Sequence, residues 1–592
     1  MIRSLRQGIR LSALLSGTAF SMMCALSARP AAAALPANGV HPAFDIREVA
    51  LPDKYRTMGV AFLSDGRMVL LTTGIMGGGE VPNPDPNSCV FLVTGATGTG
   101  AIQVAKIASD FRQPSGVNVV NDKIYVSDRD AFYSIPNNSA VADPAGNRTK
   151  ILSWPMGSKW HQWIFTPVYS GGKFYAPYSG SIRVGGPSDV AASSDWSGAF
   201  LSWDPDGKNL AKFAGGLRSP NGAGINDAGE MFVVDNQGSW LPTCTFMHMK
   251  QNRFYGHRQS PPQPPNWAEG LPYQPPAVWI PYPSQITGAS TSQPVYMNKG
   301  TYAGQWFAGD ANGPGLTRFA LEKVNGDYQG AVLRFTNGTS TSGINRMAWG
   351  PDGALYMGTM EHFGNWPGNG LMPFYKMTPK AGASAFEMLA IHSYKNGFEI
   401  EFTQPVGAAG LGPANFAVSQ WHYTRGAEYG CCLGGTEART VSSVQVSGDG
   451  KRVFLQINGL KAMEYVVAFK LNGVKPAAGT DALWDNEAWY TLNNIADRAW
   501  SPTVGLPQRV AAQSALSSQI KIETSESGSR LAILENPGVY SLSLLTLDGK
   551  LMSRIDCSGP GKFPLSVSKR GTGLYLLEIR HEGETISRPV IF

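Results

Sequence analysis

One unit recurs along the chain and limits what it can become: a short apolar stretch, a polar turn, then a second stretch rich in aromatic and β-branched residues. It is clearest in GVAFLSDGRMVLLTT (59–73), GVNVVNDKIYVSD (116–128), WIFTPVYSGGKFYAPYS (163–179), GAGINDAGEMFVVDN (222–236) and RMAWGPDGALYMGT (346–359), with a less regular copy in 294–322. Apolar and polar residues alternate on both sides of Asp-Gly, Gly-Gly or Asn-Asp, the chemistry of a tight hairpin. Six hairpins spaced by roughly 40 to 75 residues predict a radial array of four-stranded sheets. The expected fold is therefore all-β, with a six-bladed β-propeller over residues 45–390. A large β-sandwich also uses hairpins, but it does not explain why they resemble one another. Only 16% of residues are charged while Gly and Pro number 69 and 41, a balance that suits short strands joined by many turns.

Past residue 385 the pattern changes. GFEIEFTQPV (397–406), VSSVQVSGDGKRVFLQI (441–457) and EYVVAFKL (464–471) read as strands of an Ig-like β-sandwich over 391–495, and the Pro/Ala/Ser/Gln-rich stretch within 496–519 reads as a linker. Residues 520–592 alternate around Asp548-Gly549 and predict a small C-terminal β-domain. Its GVYSLSLLTLDGK and GTGLYLLEIR stretches, followed by a basic last strand, resemble the sorting domains of type IX secretion substrates. That resemblance implies the secretion machinery as a partner.

Arg3, Arg6 and Arg10 precede an apolar run from Leu11 to Leu26, followed by small residues around Ala32–Ala34. Residues 1–34 are read as a signal peptide, so the chain is expected to be secreted or at the cell surface. Losing it takes the net charge from +6 to about +2, which argues against nucleic acid as a partner. No later apolar run is long enough to predict a membrane span. Beyond the leader the cysteines are Cys89, Cys244, Cys431, Cys432 and Cys557, too few to hold the fold together. The adjacent Cys431 and Cys432 read either as a strained vicinal bridge or as two half-buried thiols.

A propeller places its ligands where blade-connecting loops converge on the central axis. Trp160-His161-Gln162-Trp163 sets one imidazole between indoles at the start of a blade; the flanking rings favour a neutral imidazole, hence a base, or simply a histidine stacked between blades. Arg218 opens the stretch RSPNGAGINDAGEMFVVDNQGSW (218–240), and its guanidinium suits a planar polyanion such as a quinone carboxylate. The stretch closes on Asp235-Asn236-Gln237-Gly238-Ser239, oxygen ligands of the kind calcium takes, or an Asx-rich turn that caps a strand. Between blades four and five the Pro-rich segment 259–285 carries Trp267, Tyr273, Trp279 and Tyr282, which read as the rim of a pocket or as a cover on the propeller edge.

The ordered set WHQWIFTPVYSGGKFY, GLRSPNGAGINDAGEMFVVDNQGSWLPT, NRFYGH, LEKVNGDYQGAVLRF, GINRMAWGPDGALYMG and GFEIEFTQPV resembles the bacterial glucose/sorbosone dehydrogenase-like family over residues 50–495. The resemblance implies a propeller that binds pyrroloquinoline quinone (PQQ) with calcium, oxidises an aldose or related sugar, and passes electrons to a separate acceptor. It implies His161 as the general base, Arg218, Asn221, Asn312 and Arg346 toward the cofactor, and Gly238, Ser239 and Asp235 toward calcium. The chain departs from the family in two places: Asn312 stands where the family has a lysine, and Asn345-Arg346 stands for an Arg-x-Arg pair. Pro220-Asn221-Gly222 with Val234-Asp235 is also similar to calcium-dependent sugar lactonases, for which Glu48, Glu80 and Asp310 would complete the ligand set. A propeller that binds a polysaccharide without catalysis is the third reading.

Overall fold

Two-residue turns decide where the strands reverse. Asn121 and Asp122 both take positive φ (49° and 57°), as do Gly171-Gly172 (54° and 83°) and Asn325-Gly326 (52° and 83°), so the twist of each turn matches that of its flanking strands. These features belong to a computed structural model that describes residues 41–74, 83–98, 100–155, 162–180, 194–258, 267–281, 288, 290–311, 313–336, 343–360, 372–430, 432–502, 520–524, 530–545, 551–565, 574–581 and 584–591. No α-helix occurs among the described residues, and no helix among them is long and apolar enough to cross a membrane.

Each hairpin read from the sequence supplies the two inner strands of one four-stranded antiparallel blade. The innermost strands are Thr57–Phe62, Gly116–Val120, Val168–Ser170, Pro220–Ile225, Thr291–Met297 and Gly343–Trp349, in blades 1 to 6. They lie side by side in a closed ring, the last against the first. Close approach demands small residues there: a Cβ on Gly116 would sit 2.3 Å from the Thr166 backbone of blade 3. Blade 6 takes its outermost strand from the other end of the propeller, because Phe44–Glu48 pairs with Phe374–Pro379 and so fastens the ring.

The blades adhere through apolar seams rather than through shared hydrogen bonds. Phe132, Phe174 and Trp203 fill the seam between blades 2 and 3, Phe246, Trp306 and Phe319 that between blades 4 and 5, and Leu70, Tyr356 and Phe374 that between blades 6 and 1. Burying one such side chain contributes roughly 1.5–3 kcal/mol, so the seams dominate the stability of the ring.

Beyond the propeller, two sheets form the sandwich. Met388–Tyr394, Gly397–Phe402, Arg452–Ile457 and Val441–Val446 face a sheet of Glu487–Leu492, Tyr465–Leu471, Phe416–Tyr423 and Leu433–Arg439 across a core that includes Phe398, Phe469 and Tyr490. The second sheet does not stop at the sandwich. Its strand Glu487–Leu492 pairs with Asp327–Thr336, the outer strand of blade 5, with Val332 opposite Trp489, so one eight-stranded sheet crosses from propeller to sandwich. The long outer strand of blade 5 would otherwise present a bare edge. Buried polar bonds reinforce the junction: Glu322 of blade 5 accepts from the Tyr490 hydroxyl (2.5 Å) and the Ser393 amide (2.6 Å) and lies 3.6 Å from His392.

The described aromatics of the Pro-rich segment, Trp267, Tyr273 and Trp279, pack along the outer edges of the blades. Trp279 lies in Val278–Ile280, the outermost strand of blade 4, where it is buried against Trp421 and Tyr423 of the sandwich. Tyr273 bonds to Arg425 and Glu464 on the same seam, and Trp267 lies beneath Lys212 (4.9 Å) on blade 3. Tyr282 is outside the described residues. Aromatics at this density bury most area where two sheets meet, and here that place is the propeller–sandwich seam.

The C-terminal strands Ile520–Thr524, Arg530–Leu545, Leu551–Leu565, Leu574–His581 and Glu584–Ile591 form a separate antiparallel sheet around Ile520, Leu542, Leu577 and Ile579. Cys89, Cys244 and Cys557 are free thiols; Cys432 is disulfide-bonded.

Candidate functional site on the axial face

At one end of the ring, loops entering the innermost strands meet loops leaving the second strands. Three blades tie the two together with a buried carboxylate. Asp235, the last residue of Met231–Asp235, accepts the amides of Arg218 (2.7 Å) and Ser219 (2.6 Å). Asp128 accepts those of Arg112 (2.9 Å), Gln113 (2.7 Å) and Arg129 (2.8 Å), and Asp310 accepts that of Ser290 (3.1 Å). Burial, opposed by the amide donors, pushes the Asp128 and Asp235 carboxyls up to about 6.

This corner accounts for part of the expected calcium set. Asp235 turns both oxygens to backbone amides. The Gly238 carbonyl accepts the Gly430 amide (3.2 Å), and the Ser239 carbonyl lies 3.2 Å from Nδ1 of His257. Among the described residues no group of three or more His, Cys, Asp or Glu could hold a metal ion. Both Asp235 oxygens are thus taken by amides, which leaves the Gly238 and Ser239 carbonyls as the oxygens of the expected set that calcium would use.

Arg218 and Gly238 do come together, in a different relation. A Cβ on Gly238 would fall 1.9 Å from Cζ of Arg218, so the missing side chain is the cradle in which the guanidinium lies. The ring of Tyr429, from the sandwich, lies 5.3 Å above the same guanidinium.

Arg346 and Asn221 also meet, but below the face. Arg346 is fully buried on the axis: Nε donates to the Met58 carbonyl (3.2 Å), Nη1 to Asn221 Oδ1 (2.9 Å) and Asn345 Oδ1 (2.8 Å), and Nη2 to the Ser115 carbonyl (3.1 Å). Phe165 lies 5.6 Å from it, and burial pushes its guanidinium down to about 9. The expectation that Arg346 and Asn221 face a cofactor is corrected: they form a pin joining blades 1, 2, 4 and 6. The same geometry fails to assemble the lactonase ligands, since Asn221 serves an arginine, Asp235 and Asp310 serve amides, Glu48 sits on the outermost strand of blade 6, and Glu80 is outside the described residues.

His161 and Asn312 lie outside the described residues. Next to His161, Gln162 is buried and donates to Ser197 Oγ (2.8 Å), and Trp163 donates from its indole to Gln113 Oε1 (2.9 Å). That Gln113 oxygen also accepts from Nη1 of Arg129 (3.1 Å), whose guanidinium lies 5.2 Å from the Trp163 ring. Sequence reasoning misses Arg129. Its signal is positional: it follows Asp128 as Asn236 follows Asp235, which puts it on the axial face. His257, which reads from sequence as structural or surface, is buried against the Ser239 loop. Arg129 (1% exposed) and Arg218 (4% exposed) are both buried beside these corners, Arg129 against Trp163 and Arg218 beneath Tyr429.

No family model matches the chain, and no curated protein matches it. Solved structures resemble it at a distance. A Thermus thermophilus protein assigned as an oxidoreductase (glucose dehydrogenase) is 16% identical with a TM-score of 0.41, covering 57% of this chain and 100% of its own. The PQQ-bound aldose sugar dehydrogenase of Streptomyces coelicolor is 15% identical with a TM-score of 0.39, covering 58% and 100%. The PQQ domain of a pyranose dehydrogenase from Coprinopsis cinerea is 13% identical with a TM-score of 0.37, covering 57% and 98%. At these values the likeness carries no argument about this chain.

Proposed function

We propose that the chain is an exported sugar dehydrogenase-like propeller that holds PQQ on the axial face and oxidises a sugar hydroxyl. What supports this reading is that blades 2 and 4 each carry an arginine, Arg129 and Arg218, beside an equivalent corner where Asp128 and Asp235 accept backbone amides. A polycarboxylate ring gains charge-assisted hydrogen bonds from a guanidinium it reaches there. The quinone, when bound, supplies the two-electron acceptor. In this reading Arg218, held in its Gly238 cradle, orients one carboxylate; Arg129 supports the other side through Gln113 and Trp163; and His161 takes the sugar hydroxyl proton. Arg346 stays a structural pin. Electrons leave to a separate acceptor, and residues 1–34 with the C-terminal sheet serve export.

Reconstituting the purified chain with PQQ, with and without added calcium, and following dye reduction over a panel of aldoses tests the reading. Turnover that needs PQQ and falls in His161→Ala supports it. A chain that neither binds PQQ nor turns over any sugar overturns it.

A further inference from the structure

One turn of blade 4 is held from outside the propeller. After Met231–Asp235 the chain folds back on itself at Gly238, whose amide donates to the Leu241 carbonyl (2.7 Å), and inside this turn Trp240 takes φ +63°. A bulky residue adopts that conformation only where its surroundings impose it. Here they come from the sandwich, through the tip of the hairpin between Phe416–Tyr423 and Leu433–Arg439. The Trp240 amide donates to the Gly426 carbonyl (2.6 Å), the Trp240 carbonyl accepts from Nη1 of Arg425 (3.4 Å), and the Gly238 carbonyl accepts the Gly430 amide (3.2 Å). Both backbone polar groups of the strained residue are thus bonded to two adjacent residues of the other domain.

Arg425 is itself built into place. Its guanidinium lies 4.9 Å from the ring centroids of Tyr273 and of Trp279, and Nη2 donates to the Tyr273 hydroxyl and to Oε1 of Glu464 (3.0 Å). Gly256, between the outer strands of blade 4, leaves the room this requires, since a Cβ there would fall 2.2 Å from Nη1. A guanidinium stacked on two rings and paired with a carboxylate keeps little freedom, so its bond to Trp240 fixes the turn. The turn matters because of what lies in it. Arg218 occupies the space of the absent Gly238 side chain, 1.9 Å from where a Cβ would be, so displacing the turn displaces the guanidinium.

We propose that Arg425 is a positioning residue: through Trp240 it holds the turn that carries Gly238, and the sandwich thereby sets where the Arg218 guanidinium lies. The ligand arm of the test rests on the reading that the axial face takes PQQ; the turn arm does not.

The test uses the full chain and two readouts. Hydrogen exchange over residues 236–241 is followed by mass spectrometry in the wild-type chain, Arg425→Met and Val332→Ala, the last a cavity in the seam between blades 4 and 5. Exchange elsewhere in the same samples reports that each variant is folded. Arg425→Met should exchange the turn about tenfold faster or more, and Val332→Ala should leave it as in the wild type. PQQ titrations then form a cycle with Arg218→Gln. Arg425→Met should weaken binding about fivefold in the wild-type background and add nothing in the Arg218→Gln background, the coupling expected of a residue that acts through another. Unchanged exchange in Arg425→Met overturns the proposal, as does equal acceleration in Val332→Ala, which would mark a general loosening. Losses of PQQ affinity that simply add overturn it too, because Arg425 would then act apart from Arg218. A wild-type chain that takes up no PQQ overturns the dehydrogenase reading, and the exchange result alone then supports or refutes this one.

Discussion

Blades 2 and 4 share a corner and differ in what they mount on it. In both, a buried aspartate at the end of the second strand accepts two amides of the loop entering the first strand, those of Arg112 and Gln113 at Asp128 and of Arg218 and Ser219 at Asp235, and Asp128 also accepts the Arg129 amide that follows it. In blade 2 the cation follows the acid directly, as Arg129, and is steadied by Gln113 and Trp163. In blade 4 the cation precedes the strand, as Arg218, and lies between Gly238 and a ring from another domain. The scaffold acid repeats because the backbone problem repeats; the cations differ in where they attach and in what packs against them.

The largest expected effect is on stability and falls on the shared element. Asp235→Ala leaves two buried amides without acceptors and should destabilise the chain by about 2–4 kcal/mol in urea unfolding. Asp128→Ala strips three amides and should cost at least as much. Equal stability of either variant and the wild type would break the comparison at its root.

Next come the cations, whose replacement should cost less stability than that of the acids and act on ligand as well. Arg218→Gln and Arg129→Gln should each weaken PQQ binding by about tenfold or more, the loss of a charge-assisted hydrogen bond. Gly238→Ala should reproduce the Arg218 effect, since its Cβ takes the space of the guanidinium. If Gly238→Ala binds PQQ like the wild type, the cradle has no bearing on ligand.

The smallest effect is a pH dependence common to both corners. Their folded-state values are raised to about 6, above the unfolded value of about 3.9, so the folded chain holds more protons between those limits. The stability these two groups contribute is therefore present in full below about pH 4, is lost as pH rises through about 6, and changes little beyond. Asp128→Asn or Asp235→Asn should each flatten that slope in melts taken from pH 4 to 7. A slope unchanged by both would show that the acids do not titrate as placed.

The six-fold ring was legible because its determinants are local: Asn121-Asp122 and Gly171-Gly172 state a turn, and the alternation beside them states a strand. The site was less so. Asp235-Asn236-Gln237-Gly238-Ser239 reads as a ring of oxygen ligands until burial turns the carboxylate to Arg218 and Ser219, and nothing in the order of residues says which way it points. Arg346 reads as a free cation until its nitrogens meet carbonyls from Met58 and Ser115, far away in sequence. The pairing of Val332 with Trp489 leaves no mark in either strand, and Tyr429 lies over two hundred positions from the arginine it covers, in a loop whose own sequence carries no motif.

The most direct test of the account is a PQQ titration of the full chain beside Arg129→Gln and Arg218→Gln, with aldose-dependent dye reduction read on the same samples. The account expects saturable binding and turnover in the wild-type chain, with both weakened in each variant at a temperature where thermal unfolding shows each variant still folded. Absence of binding in the wild-type chain, or binding indifferent to both arginines, would contradict it.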